Sequence, residues 1–111
     1  MKREIIIKFD IEGFHKYENA PEQVAFLRDL HRHTFKVKCG IKVNHNERDK
    51  ELFMVRDEIT EYINQVYGSP ANFDNMSVES IAQEILEFAQ EDGMMWVEVW
   101  EEDTGGARIS L

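Results

Sequence analysis

The chain has 111 residues, a formal net charge of -9 and a single cysteine. That length bounds it to one domain, residues 1–111, whose modest core partner subunits can complete. The acid excess speaks against nucleic acid and anionic membrane surfaces, both of which ask for basic patches, and one cysteine excludes an internal disulfide. No apolar run is long enough to span a membrane. The opening Met1-Lys2-Arg3-Glu4 lacks the apolar stretch of a secretory signal, so a cytoplasmic location is expected.

Residues 3–15 alternate. Ile5, Ile7, Phe9 and Ile11 share one parity with His15, while Glu4, Lys8, Asp10 and Glu12 take the other, which predicts a half-buried strand. Residues 16–29 have no period and contain Pro21, so they read as a loop with a short helical turn. Residues 31–43 alternate again, with His31, His33, Phe35, Val37, Cys39, Ile41 and Val43 on one face. Asp49 is placed to cap a helix running to about Tyr67, with the stripe Leu52, Val55, Ile59, Tyr62, Ile63 and Val66, ended by Gly68 and Pro70. Ser77 caps a second helix to about Gln90, its stripe Ile81, Ala82, Ile85, Leu86 and Ala89. Met94 to Glu102 reads as a strand, Asp103 to Gly106 as a turn in which Gly105-Gly106 supply positive φ, and Ala107 to Leu111 as a last strand. The order is ββααββ. It predicts an α+β fold, an antiparallel four-stranded sheet with two helices on one face. Its two edges invite pairing between subunits.

His31-Arg32-His33 is the pattern that carries chemistry. Side chains two apart on a strand point the same way, roughly 6–7 Å apart, so both imidazoles can share one ion. If the first two strands pair antiparallel, His15 arrives beside His31. Three neutral imidazoles suit zinc, with a fourth position left for water or a substrate oxygen. His45 is a rival ligand, but its polar stretch Asn44-His45-Asn46-Glu47-Arg48 favours a turn. Cys39 shares the histidine face yet lies about 20 Å along the strand from His33, a core position. A cupin-type site would need an acid soon after the HxH, and none follows until Glu47.

Together these residues resemble the 6-pyruvoyl-tetrahydropterin synthase family, which includes the 6-carboxy-tetrahydropterin synthases of queuosine biosynthesis. Phe9 to His15 (FDIEGFH) looks like the family's first strand, ending in a zinc histidine. His31-Arg32-His33-Thr34-Phe35 looks like its HGH motif, and Glu51-Leu52 with Val55-Arg56 like the opening of its first helix. Ser77-Val78-Glu79-Ser80-Ile81-Ala82 is similar to its "T-x-E-N-L-A" helix start, and Val97-Glu98-Val99-Trp100-Glu101 to its last long strand. The resemblance implies a tunnelling fold whose sheets join into an oligomeric barrel, commonly a hexamer of two trimers. It implies zinc on His15, His31 and His33, and a pterin whose N–H edge is received by Glu101 with Ser77 near the same ring.

The departures are as specific. The family's catalytic cysteine falls at Leu27, which moves no proton. A glutamate replaces that cysteine in some relatives, but Asp29 and Glu22 align only with a shift. The Asp-His pair between the family's helices is missing, and Asp74 is the only acid in that segment. Asp29, His45 and Asp74 are left as candidate proton-moving groups. The expected function is that of a zinc-dependent, synthase-like protein acting on or binding a dihydroneopterin triphosphate-like pterin. The alternatives are an inactive pterin- or purine-binding module and an assembly protein stabilised by its metal.

Overall fold

The computed structural model describes residues 1–111. Two twelve-residue strands, β1 (Glu4–His15) and β2 (His31–Lys42), pair antiparallel without interruption. Helix α1 spans Leu52–Tyr67, a two-residue strand β3 Ala71–Asn72, and helix α2 Val78–Ala89. Strands β4 (Met94–Glu101) and β5 (Gly105–Ser110) close the chain as a hairpin. The sheet order is β3-β1-β2-β4-β5. The four long strands are antiparallel as expected; the fifth, β3, is an addition that runs parallel to the end of β1. The loop 16–29 carries a 3-10 stretch, Glu22–Arg28, broken by a kink at Val24. No helix is long and apolar enough to cross a membrane.

Register follows from parity. Pairing Ile5 with Ile41, Ile7 with Cys39, Phe9 with Val37 and Ile11 with Phe35 puts the apolar residues of both strands on one face, except Ile6 and Phe14, which take the other. A slip by one residue would turn that whole set to solvent. Val97 and Val99 of β4 continue the face, and the two helices cover it, α2 over β4 and β5, α1 toward β1 and β3. All five residues of the α2 stripe are buried. In α1 only Ile59 and Ile63 are, while Leu52 and Val66 stay exposed because that helix sits at the sheet's edge. Cys39 lies fully inside the core, where burial pushes its thiol up to about 12, which leaves it inert as a nucleophile.

Two local expectations are corrected. The cap of α1 is Glu51, whose carboxylate accepts from the Phe53 N–H at 2.8 Å. Asp49 is already engaged, accepting the Asn44 N–H at 2.7 Å. In the β4–β5 turn the positive φ belongs to Glu102 (48°), and neither Gly105 nor Gly106 takes one. Gly106 is needed for another reason: it lies opposite Trp100, and a Cβ there would meet the indole ring.

Ser77 does cap α2, accepting from the Ser80 N–H at 3.1 Å. Replacing it by alanine leaves that N–H without its partner. Urea titration should show a loss of about 1 kcal/mol.

Candidate metal centre

The paired ends of β1 and β2 place His15 directly opposite His31, with His33 two residues further along the same face. The three rings meet edge to face, with centroids 4.6, 4.9 and 5.1 Å apart. Beneath them Phe35 contacts His15 and His33 at 5.1 and 5.5 Å, so the imidazoles rest on the core.

Each ring is held by its outer nitrogen. His15 Nδ1 lies 2.9 Å from the Met76 carbonyl oxygen, and His31 Nδ1 lies 2.9 Å from that of Asp29. His33 Nδ1 lies 2.9 Å from a carboxylate oxygen of Glu102. Carbonyls and carboxylates accept only, so all three Nδ1 atoms carry the hydrogen. That turns the three Nε2 atoms toward one another. The Nε2 atoms of His31 and His33 are buried and make no hydrogen bond. Buried polar atoms without partners are uncommon and call for an explanation.

The reach of Met76 depends on the unforeseen strand. β3 lies against Gly13 and Phe14, and Phe73 N–H and Lys16 N–H continue the contact by donating to the Phe14 and Asp74 carbonyls at 2.9 and 2.8 Å. Gly13 permits this approach, since a Cβ there would stand 2.7 Å from the Ala71 carbonyl oxygen.

Glu101 ends β4 on the same face. Its Oε2 is 3.2 Å from His15 Nε2 and 3.0 Å from His33 Nε2, the second contact lacking hydrogen-bond geometry. Ligand atoms of His15, His31, His33 and Glu101 all lie within 4.8 Å of one another, a group that could hold a metal ion. Imidazole nitrogens with one carboxylate oxygen suit a borderline divalent ion.

A cleft of about 480 Å³ opens beside the cluster, lined by His15, His31 and Glu101, by Leu27, and by Ser77 and Glu79 at the start of α2. Lys16 is its cation, and the carboxylates of Glu18 and Asp74, at 2.9 and 3.3 Å, hold its ammonium above the usual range.

The candidate proton-moving groups fare differently. Asp29 meets the centre through its backbone carbonyl. The carboxylate of Asp74 pairs with Lys16. His45 sits beyond the opposite end of β2, 3.5 Å from Asp49, in the turn its neighbours favour. Glu102 was not expected at all. Burial would raise its carboxyl, but the Thr34 N–H and the His33 ring outweigh burial and hold it below the usual range.

No family profile and no curated protein matches the sequence. Solved structures do. A Plasmodium vivax 6-pyruvoyltetrahydropterin synthase, solved as a catalytic-residue mutant, aligns at a TM-score of 0.64 and 13% identity, covering 98% of this chain and 97% of its own. The chain has the 6-pyruvoyltetrahydropterin synthase fold. The Plasmodium falciparum synthase agrees at a TM-score of 0.62 and 13% identity, with 97% and 96% covered. An uncharacterized protein from Wolinella succinogenes aligns at 0.72 and 16% identity, over 99% and 98%. Within this synthase-like fold, the histidines stand at the paired ends of the two longest strands, where the cleft opens.

Proposed function

We propose that this chain is a zinc-dependent protein of the 6-pyruvoyl-tetrahydropterin synthase type, holding the ion on His15, His31 and His33 and taking a pterin in the adjoining cleft. One observation carries the reading: three imidazoles are tied outward through Nδ1 while their Nε2 atoms converge, two of them buried and unpartnered. A metal bound there supplies a Lewis acid for a ligand oxygen. The residues of the chain do the rest. Glu101 borders both the cluster and the cleft, where its carboxylate is offered to the paired N–H donors of a 2-amino-4-oxo pyrimidine ring. Ser77 and the first turn of α2 form the opposite lip.

Leu27 lines the cleft where the family carries its cysteine, which favours ligand binding without turnover. Fluorescence titration of the zinc-loaded protein with neopterin tests the binding role. Glu101→Gln should weaken binding about 10-fold or more, the worth of hydrogen bonds to a charged group; equal affinity would remove Glu101 from ring recognition. Incubation with dihydroneopterin triphosphate separates the two readings. Product formed above a His31→Ala control means a lyase, with Asp29, Asp74 or a neighbouring subunit supplying the proton-moving group.

The reading extends to assembly as one 111-residue domain of a cytoplasmic homo-oligomer, a hexamer of two trimers. It is supported by the sheet ending at β3 and β5, edges that suit pairing with further copies.

A further inference from the structure

We propose that Glu102 is a positioning residue: it fixes His33 in the Nδ1–H form and aims its Nε2 at the metal. The inference rests on the proposed centre and concerns a residue outside its ligand set. Of the three outer acceptors, two are neutral carbonyls, those of Met76 and Asp29; only His33 leans on a carboxylate. Both Glu102 oxygens face the His33 ring, at 2.9 and 3.2 Å from Nδ1, and Oε1 also takes the Thr34 N–H at 2.8 Å. The Glu102 N–H in turn donates to the Thr34 carbonyl at 3.1 Å. Backbone and side chain thus grip the residue next to His33 from both sides. An outer carboxylate on a ligating imidazole sets its tautomer and raises its basicity.

The backbone shows that this placement is specific. Neighbours on a strand face opposite ways, so Glu102, following Glu101, would point away from the histidines. Its φ of 48°, in the left-handed region, turns the side chain back onto the ring. A non-glycine residue is disfavoured there, and glycine would occupy it freely. The side chain is held in place by its partners despite that backbone.

Glu102→Gly therefore separates the roles, since it relieves the backbone while removing the carboxylate. The full chain, stripped of metal and labelled with nitrogen-15, is read by long-range proton–nitrogen correlation, which distinguishes imidazole tautomers. The wild type should show His33 as Nδ1–H; Glu102→Gly should lose that preference, and Glu102→Gln, which keeps an acceptor oxygen, should retain most of it. Competition with a chelating dye should show zinc held about 10–100-fold more weakly by Glu102→Gly. A Glu12→Gln control, on the outer face of the sheet, should change neither readout. An unaltered His33 tautomer together with zinc affinity within about 3-fold of wild type would overturn the role and leave the metal centre standing. A wild type that binds no zinc would overturn the centre and the role with it.

Discussion

Zinc at about 1,000 times its dissociation constant should stabilise the protein by about 4 kcal/mol, raising its melting temperature by roughly 10–20 °C for a chain of this size. In His31→Ala the rise should vanish. The basis is that folding assembles the ligand set. His15 and His31 are 16 residues apart in sequence and meet only when β1 and β2 pair in register. The unfolded chain has no such trio, so binding energy becomes folding energy. Within the chain the His31 and His33 Nε2 atoms are buried and find no hydrogen-bond partner, and a bound ion would give them one. Scanning calorimetry with and without a chelator reads the effect. An equal zinc-dependent rise in His31→Ala, or none in the wild type, would contradict the assignment.

Phe35→Ala should cost about 3–5 kcal/mol and weaken zinc binding as well. Phe35 is 0% exposed and packs edge to face against Phe73, with ring centroids 5.3 Å apart, and against His15 and His33. It lies opposite Ile11 on β1 and opposite Glu101 on β4, so it is the floor on which the centre is built. Removing the ring opens a cavity under two imidazoles of the proposed centre, and both gain freedom that metal binding would have to remove. Chemical denaturation measures the first effect and chelator competition the second. A loss of stability at unchanged zinc affinity would show that the outer hydrogen bonds alone hold the rings.

What was legible in the chain was whatever depends on near neighbours. Period-two alternation identifies β1 and β2, and since parity sets the face, antiparallel pairing of the two is enough to bring His15, His31 and His33 together. The Ser77 cap and the buried stripe of α2 are of the same kind, each written within a few residues. The α1 cap was misplaced by two residues because Asp49 and Glu51 both offer carboxylates there. The choice depends on which is free, and Asp49 is claimed by Asn44 across the turn.

The outer partners of the histidines were not legible. Two are backbone carbonyls, which every residue possesses and no sequence marks. The third, Glu102, lies on the wrong parity and reaches His33 only through a left-handed φ. The strand β3 is two residues long, too short for any period, and exists because Gly13 lets a carbonyl come close.

Alternation and spacing, then, determined the faces of the strands, the identity of the three imidazoles and the stripe of the second helix, because side-chain direction along regular backbone repeats locally. Tertiary structure alone decided which nitrogen of each ring faces the centre. That choice belongs to oxygens of Met76, Asp29 and Glu102, and two of these are more than sixty positions away along the chain from the rings they hold.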